Sequence, residues 1–341
     1  NGMWLKILEY VILPSIIAWL TRICWPLIWR VEGKGQIFCN VYGEKGPGKV
    51  CRLICPGGYF HLSTMHEQCY PWLTCQDLKD DIIKVKTIGA GAVKQVSLAT
   101  WNGHMIAMNE PITDLYLEDY RYGLEMLKQL QGHLEVVQFV GFCNDTYFTE
   151  YYKFGSADQL ENILRDHPSV FQNTMARRFS LCVNYVQILN FLHTHRLGTF
   201  VMCDSNDLDK TLKQFLITDN LTLVLNDVDS IAKVNHSAGE LIKCGHRQLG
   251  GEFVAPEQLW PFDTEFKDEA MPHYDEKSDI WKIPDVCNNF IDGNSDALKV
   301  KMDLFRIHSA CKEEQASHRP TAADILQDYE HVWNSISKSN D

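Results

Sequence analysis

The amino-acid sequence predicts an α+β fold of two lobes, a small β-rich lobe followed by a larger helical lobe, with a cleft between them. Short β-type runs broken by glycine turns occupy residues 82–109. Helical spacing of apolar residues dominates after residue 155, for example over 177–193 and 321–333. With 341 residues, of which 45% are hydrophobic and 22% charged, the chain can fill a sizeable core.

The N-terminal stretch at residues 10–29 is apolar apart from Ser15, Thr21 and Arg22. Its length matches the roughly 20 residues that cross a bilayer as a helix. Arg22 opposes insertion, since an arginine near the centre costs about 2.5 to 3.5 kcal/mol. We predict a transmembrane signal anchor at 10–29 with a cytoplasmic tail at 1–9; an interfacial helix is the alternative.

Residues 30–80 predict a stem tied by cysteines. Four cysteines crowd the end of this stretch: Cys51, Cys55, Cys69 and Cys75. They include no Cys-x-x-Cys pair, so disulfides in an oxidising lumen are favoured over zinc, with the pairing open. Cys182, Cys203 and Cys311 lie in apolar or helical contexts and are predicted to be buried thiols.

Two further features bear on compartment and partners. Asn-x-Ser/Thr acceptors at Asn144, Asn220 and Asn235 favour a secretory address when taken with the cysteines. The net charge of −12 argues against nucleic acid as a partner, because phosphate neutralisation needs a basic face. A membrane contact is expected only through the N-terminal anchor.

The domain predicted at 81–341 begins with a β-lobe. Its strands are predicted at 82–88, 93–100, 104–109, 136–141 and 146–150. An Asn102-Gly103 turn predicts that the second and third strands form a hairpin. Helical spacing at 117–130 places one helix within this lobe.

The first hairpin carries a glycine-rich segment with Gly89, Gly91 and Lys94. Glycines permit close backbone approach and leave amides free to bind phosphate oxygens. Asn109 ends the next strand, and its neutral amide cannot replace an ammonium facing a triphosphate. Because side chains alternate along a strand, Lys94 and Val96 share one face, and Lys94 still delivers a cation to the cleft.

Two carboxylates, Asp204 and Asp227, flank a pair of short apolar runs at 214–218 and 221–225. Phosphoryl transfer needs such a pair. One carboxylate orients the attacking hydroxyl and accepts its proton, and the other holds the divalent metal that bridges the phosphates. We therefore predict that Asp204 and Lys94 are catalytic and that Asp227 is a metal ligand.

The order of motifs resembles that of the protein kinase superfamily over residues 82–333, about three quarters of the chain. The motifs are the glycine loop, Asp204, Asp227, Ala255-Pro256-Glu257, Asp279-Ile280-Trp281 and Arg319-Pro320. The resemblance implies a two-lobed kinase-like fold, an ion pair between Glu257 and Arg319, and Asp279 bracing the catalytic loop. It also implies ATP in the cleft, with Glu150 and Tyr151 in the hinge that binds adenine.

Several positions depart from the superfamily pattern. Cys203 stands before the catalytic aspartate where an arginine is usual, and Gln214 takes the place of the asparagine that would join Asp227 in holding Mg²⁺ or Mn²⁺. The usual Asp-Phe-Gly becomes Asp227-Val228-Asp229, which is expected to keep only the metal ligand. Gly123 lies near the place of the helix glutamate that pairs with the lysine. Asp119, one turn earlier, is the nearest substitute, and Glu118 and Glu125 are further candidates.

Within the superfamily, the stretches 202–208, 243–247, 253–261 and 274–284 are similar to the family of protein O-mannose kinases. That resemblance implies a single-pass type II protein of the endoplasmic reticulum membrane with a lumenal catalytic domain. It further implies ATP-dependent phosphorylation of the 6-hydroxyl of mannose in the GalNAc-GlcNAc-mannose trisaccharide of α-dystroglycan.

Two alternatives compete with this interpretation. A catalytically inactive pseudokinase scaffold of the secretory pathway would account for Asn109 and the missing helix glutamate. An ordinary protein kinase would usually carry a lysine two residues after the catalytic aspartate, where this chain has Asn206.

Overall fold

The structure, a computed structural model, describes residues 35–40, 50–66 and 68–338. The predicted tail and signal anchor, at 1–9 and 10–29, lie outside these residues. Among the helices formed by the described residues, none has the length and apolar character required to cross a bilayer.

Strands and helices follow one another in the predicted order. The strands are β1 (Gln36–Asn40), β2 (Val50–Ile54), β3 (Tyr59–Phe60), β4 (Tyr70–Pro71), β5 (Ile82–Ala90), β6 (Lys94–Trp101), β7 (His104–Pro111), β8 (Phe139–Cys143), β9 (Thr146–Glu150), β10 (Thr199–Met202), β11 (Phe215–Ile217), β12 (Leu223–Leu225) and β13 (Ile231–Val234). The α-helices are α1 (Cys75–Asp80), α2 (Leu117–Gln129), α3 (Leu160–Asp166), α4 (Met175–His193), α5 (Leu208–Lys213), α6 (Lys277–Ile291), α7 (Ala297–Cys311) and α8 (Ala322–Lys338).

The small lobe is a five-stranded antiparallel sheet in the order β5-β6-β7-β9-β8. Asn102 and Gly103 both have positive φ, which matches the twist of a two-residue hairpin between β6 and β7. In the register of that hairpin Lys94 lies opposite Pro111 and Val96 opposite Asn109. The hairpin prediction is confirmed, and it places Lys94 at the open end of the sheet.

The stem packs directly onto this sheet. Phe60, Leu62 and Leu73 are buried in one cluster with residues of the sheet. Leu73 also forms a parallel bridge with Gly141, where a side chain would run into the Leu73 backbone. Burial of these apolar side chains is what attaches the described part of the stem to the small lobe.

The helical lobe is built around α4, which packs against α6 and α8. Phe179 of α4 contacts both Tyr329 and Trp333 of α8, and all three side chains are buried. Arg178 is fully buried and is satisfied by Glu161 and by the carbonyl of Phe290. This core gives the lobe a rigid base under the short strands that carry the site.

Disulfides are more extensive than the sequence indicated. In the stem region the structure pairs Cys39 with Cys51, Cys55 with Cys69, and Cys75 with Cys143. These bonds confirm the prediction of a disulfide-tied stem and connect it to β8.

The prediction that Cys182 and Cys203 are thiols is wrong. Cys182 pairs with Cys287 across α4 and α6, and Cys203 pairs with Cys244. The sequence could not show this because the partners are 105 and 41 residues apart. The first pair meets through the packing of α4 on α6, and the second meets where two loop segments pack together. Cys311 is free and buried as predicted, and burial raises the pKa of its thiol to about 12.

Candidate active site

The glycine-rich segment forms the exposed end of the β5–β6 hairpin. Gly89 and Gly91 are both exposed, and the Gly91 amide donates to the carbonyl of Lys94 at 2.9 Å. Lys94 leaves the hairpin toward the interior, with only 11% of its side chain exposed. Val96, the next residue on that face, is half-buried. The hairpin thus presents open backbone at its end and one cation beneath it.

Lys94 lies between two carboxylates of the segment that follows β12. Its ammonium nitrogen, Nζ, is 2.5 Å from Asp227 Oδ1 and 3.4 Å from Asp229 Oδ2. The sequence predicted a cation in the cleft, and the structure places it directly against the predicted metal carboxylate. Asp229 as a second partner was missed, because only Asp227 was expected to keep a role in this segment.

The three groups influence one another's ionisation. Burial by itself would lower the pKa of Lys94, but the attraction of Asp227 and Asp229 outweighs it and holds that pKa well above its usual value. Burial would raise the pKa of Asp227, and contact with Lys94 reverses this and lowers it. Asp229 is more distant from the ammonium, and burial together with the charge of Asp227 raises its pKa to about 6.

Gly123 of α2 explains why Asp229 can occupy this place. A Cβ atom on Gly123 would lie 2.8 Å from Asp229 Cβ and 3.0 Å from Asp229 Cα. A glutamate at this helix position would therefore collide with Asp229. The carboxylate that a helix supplies in the superfamily pattern comes instead from the chain after β12.

The structure does not bring Asp119 to the lysine. Asp119 is exposed on α2, whereas the carboxylates within 4 Å of Lys94 Nζ, among the described residues, are Asp227 and Asp229. The expected substitution of Asp119 for the helix glutamate is thus not met. The signal that could have found Asp229 is the coincidence of a glycine at 123 with an acid two residues after Asp227.

Asn109, at the position where a kinase usually has its lysine, is buried with 5% exposure. Its amide nitrogen makes long hydrogen bonds of 3.4 to 3.5 Å to the carbonyls of Ala107 and Tyr147 and to Thr149 Oγ1. The main-chain carbonyl of Asn109 accepts a 2.8 Å hydrogen bond from the hydroxyl of Tyr120. All three acceptors of the amide nitrogen are neutral, so a neutral side chain fits this buried place.

The catalytic-loop region is fixed from below by α6. Asp279 Oδ2 accepts a 3.1 Å hydrogen bond from the Met202 amide and lies 3.3 Å from Nε2 of His193. The predicted brace by Asp279 is confirmed. Lys282, one turn along α6, is buried and donates to Ser205 Oγ at 2.6 Å, so both sides of Asp204 are anchored.

Asp204 itself stands above this base with about a third of its side chain exposed. Its Oδ1 pairs with the ammonium of Lys210 on α5. The amide nitrogen of Gln214 donates to the Asp204 carbonyl at 3.2 Å and to Asp204 Oδ2 at 3.4 Å. Lys210 was not singled out from the sequence, because it lies in the extra residues that lengthen the loop.

Gln214 and Asp227 are neighbours across the β11–β12 hairpin. The Gln214 carbonyl accepts hydrogen bonds from the amides of Asn226 and Asp227 at 2.9 and 3.3 Å. Since the Gln214 amide nitrogen faces Asp204, its amide oxygen is the atom left for a metal. Carboxylate and amide oxygens are the donors that Mg²⁺ and Mn²⁺ prefer, so this pair fits such an ion.

Glu150 and Tyr151 are the residues predicted to form the adenine-binding hinge. Glu150 and Tyr151 help to line a cavity of about 730 Å³ between the stem, the hinge and α4. The Glu150 carboxylate accepts from the Ser63 amide at 2.7 Å and lies 3.4 Å from Arg52. The Glu150 amide donates to the Gln138 carbonyl, so this amide is already used within the small lobe.

Glu257 lies before α6 and Arg319 lies before α8, and the order of motifs predicted that they form an ion pair. Arg319 donates from both terminal nitrogens to the Glu257 carboxylate at 2.6 and 2.8 Å, and its side chain is fully buried. The predicted ion pair is confirmed. Such a two-bond pair fixes geometry as well as charge, and it secures the segment before α6 to the base of the lobe.

Three features define a protein-kinase-like phosphotransferase scaffold. They are a β-lobe with a glycine hairpin, a buried lysine in contact with the carboxylate predicted to hold a metal, and an aspartate braced from a core helix. A family model described as the protein-kinase domain of FAM69 matches residues 123–248.

The chain is 46% identical over 287 residues to the protein O-mannose kinases of Homo sapiens and Macaca fascicularis, covering 83% of this chain and 81% of each relative. The protein O-mannose kinase of Gallus gallus is 43% identical over 297 residues, covering 86% and 84%. The chain belongs to the protein O-mannose kinase family.

Proposed function

We propose that this protein is an active ATP-dependent carbohydrate kinase that phosphorylates the 6-hydroxyl of O-linked mannose. The acceptor would be the GalNAc-GlcNAc-mannose trisaccharide of α-dystroglycan. The observation that carries the proposal is the contact of Lys94 with Asp227, because it puts a relocated cation beside the carboxylate that we propose as metal ligand. A decayed site would not need to retain either charge.

In this proposal each residue of the site has one task. Asp227 with Gln214 would hold Mg²⁺ or Mn²⁺, which when bound offsets charge on the transferring phosphates. Lys94 would bind phosphate oxygens under the backbone of Gly89 and Gly91. Asp204 would orient the mannose hydroxyl and accept its proton, held in place by the hydrogen bonds that Gln214 donates to it.

The test is phosphate transfer from ATP to the trisaccharide, with free mannose and a peptide panel as competing acceptors. We expect transfer to the trisaccharide alone. Asp204→Asn should abolish turnover while leaving nucleotide affinity largely intact, because the carboxylate acts on the hydroxyl. Lys94→Ala should lose both turnover and nucleotide affinity. Lys84→Ala is the matched control, because Lys84 lies in the same sheet and forms an exposed ion pair with Glu110.

Three outcomes would contradict the proposal. Undiminished turnover by Asp204→Asn would remove that residue from its role. A folded protein that transfers phosphate to none of the acceptors would favour the pseudokinase scaffold, and transfer to peptides alone would favour an ordinary protein kinase.

We also infer a lumenal location in the endoplasmic reticulum, with a membrane anchor at 10–29. Five disulfides among the described residues support it, since such bonds persist in oxidising compartments. Asn144 and Asn220 are exposed and open to glycan addition. Protease protection in intact microsomes, with loss of glycan in Asn144→Gln and Asn220→Gln, tests this placement; digestion of the catalytic domain without detergent would contradict it.

A further inference from the structure

Lys210 contributes a second cation to the site, beside Asp204. It lies on α5, six residues after Asp204, and its ammonium pairs with Asp204 Oδ1. The Lys210 and Asp204 side chains are 42% and 34% exposed, so the pair stands at the solvent-facing edge of the cleft. An ion pair this exposed contributes little to folding, so its place beside the predicted base calls for another explanation.

Hydrogen bonds hold the backbone of Lys210, whereas its side chain is 42% exposed. Asp207 caps α5 and accepts a 2.7 Å hydrogen bond from the Lys210 amide. Thr211 and Leu212 are buried beneath the helix. The Lys210 carbonyl accepts from the amide nitrogen of Gln214 at 3.2 Å. This short helix therefore sets where the ammonium can reach.

The two carboxylate oxygens of Asp204 are both engaged in this structure. Gln214 donates to Oδ2 and Lys210 to Oδ1. An acceptor hydroxyl that gives its proton to Asp204 must take one of these oxygens. The more exposed partner, Lys210, is the one that can move away.

The geometry of transfer fixes where that ammonium would go. A hydroxyl poised for attack lies about 3 to 3.5 Å from the phosphorus, with its proton on the catalytic carboxylate. An ammonium in contact with the carboxylate would thus lie near the phosphoryl oxygens, within the reach of a lysine side chain. Asn206, two residues after Asp204, offers no charge there.

We propose that Lys210 is a catalytic residue that binds the γ-phosphoryl group of ATP, delivered by the extra helix α5 of the loop. The inference rests on the proposed phosphotransfer. In the step, the hydroxyl oxygen bonds to the γ-phosphorus and the bond to the bridging oxygen breaks, its electron pair leaving with ADP. The hydroxyl proton passes to Asp204, and Lys210 moves from the carboxylate to the phosphoryl oxygens, where it offsets their charge.

The experiment compares ATP and ADP affinity, without acceptor and with Mg²⁺ present, in the wild type, Lys210→Ala and Lys210→Arg. A hydrogen bond from a charged donor predicts that Lys210→Ala weakens ATP binding by about 10- to 100-fold. ADP binding should be unchanged, because ADP has no γ-phosphate. Turnover should fall by about 100-fold or more in kcat, with partial recovery in Lys210→Arg.

Lys213→Ala is the matched control, since Lys213 is on the same helix, is exposed and pairs with Asp209 at 2.5 Å. It should leave both affinities and kcat unchanged, and thermal unfolding should show that each variant is folded. Equal loss of ATP and ADP affinity in Lys210→Ala would overturn the proposal. So would a fall in kcat with the ATP-to-ADP preference intact, since that would mean that Lys210 only positions Asp204.

The nucleotide measurement needs no acceptor, so it separates this inference from the proposed function. One outcome is that the wild type prefers ATP over ADP and Lys210→Ala loses this preference, while the wild type does not phosphorylate the trisaccharide. That result would support the role of Lys210 and refute the proposed acceptor. Absence of any ATP preference in the wild type would refute the contact with the γ-phosphoryl group.

Discussion

Replacement of Asp229 by asparagine should stabilise the nucleotide-free protein at neutral pH. One ammonium, Lys94, is shared by two carboxylates and lies closer to Asp227 than to Asp229. Asp229 therefore carries a charge that is buried and only partly compensated. Asparagine keeps its shape and one oxygen that can accept from Lys94, and removes that charge.

The magnitude follows from the pKa of Asp229. Burial and the neighbouring charge of Asp227 raise it from 3.8 to about 6 in the folded protein. The difference of about 2 pH units corresponds to about 3 kcal/mol of unfolding free energy. The folded protein binds this proton more tightly than the unfolded chain. The wild type thus loses this stability as the pH rises from about 4 to about 6, and the loss is complete above that range.

The assay is urea unfolding with EDTA and no nucleotide, at pH 4.5 and pH 7.5. Asp229→Asn should exceed the wild type by about 3 kcal/mol at pH 7.5 and by much less at pH 4.5. Glu118→Gln, an exposed carboxylate on α2, is the control for a general change in net charge. An Asp229→Asn difference that is the same at both pH values, or that is negative at pH 7.5, would refute the reasoning.

Two further predictions concern the scaffold around the site. Joint replacement of Cys203 and Cys244 by serine opens a loop of 41 residues. The chain-entropy relation predicts a loss of about 4 kcal/mol in the free energy of unfolding. Thermal unfolding should show a lower midpoint, and an unchanged midpoint would contradict the disulfide. Gly123→Ala should gain about 1 kcal/mol of helix propensity but lose about 1 to 3 kcal/mol to the collision with Asp229. The ATP affinity of Gly123→Ala, measured by calorimetry, should fall, because α2 must move away from Asp229, the second partner of Lys94. Full ATP affinity would show that the packing of α2 on Asp229 does not order Lys94.

Much of the candidate site could be predicted from local pattern. Strand alternation placed Lys94 on the cleft face, and the Asn102-Gly103 turn set the register that carries it there. The β-type runs at 82–109 and the helical spacing after residue 155 predicted the two lobes. These features depend on residues close in sequence, and short-range rules of strand, turn and helix are sufficient for them.

Other features depend on chain segments that meet only after folding. Lys94 and Asp229 are 135 residues apart, and their contact requires the absence of a side chain at Gly123. The Cys203–Cys244 bond likewise depends on packing beneath the catalytic loop.

The class of fold, the relocated lysine and the pair of carboxylates could be predicted from the sequence, because each follows from a local pattern or from the order of motifs. The acid that partners Lys94 and the contact of Lys210 with Asp204 became clear only from the folded chain. The first contact depends on how closely α2 approaches Asp229, and the second depends on how the inserted helix α5 is capped and buried. The spacing of residues along the chain encodes neither arrangement.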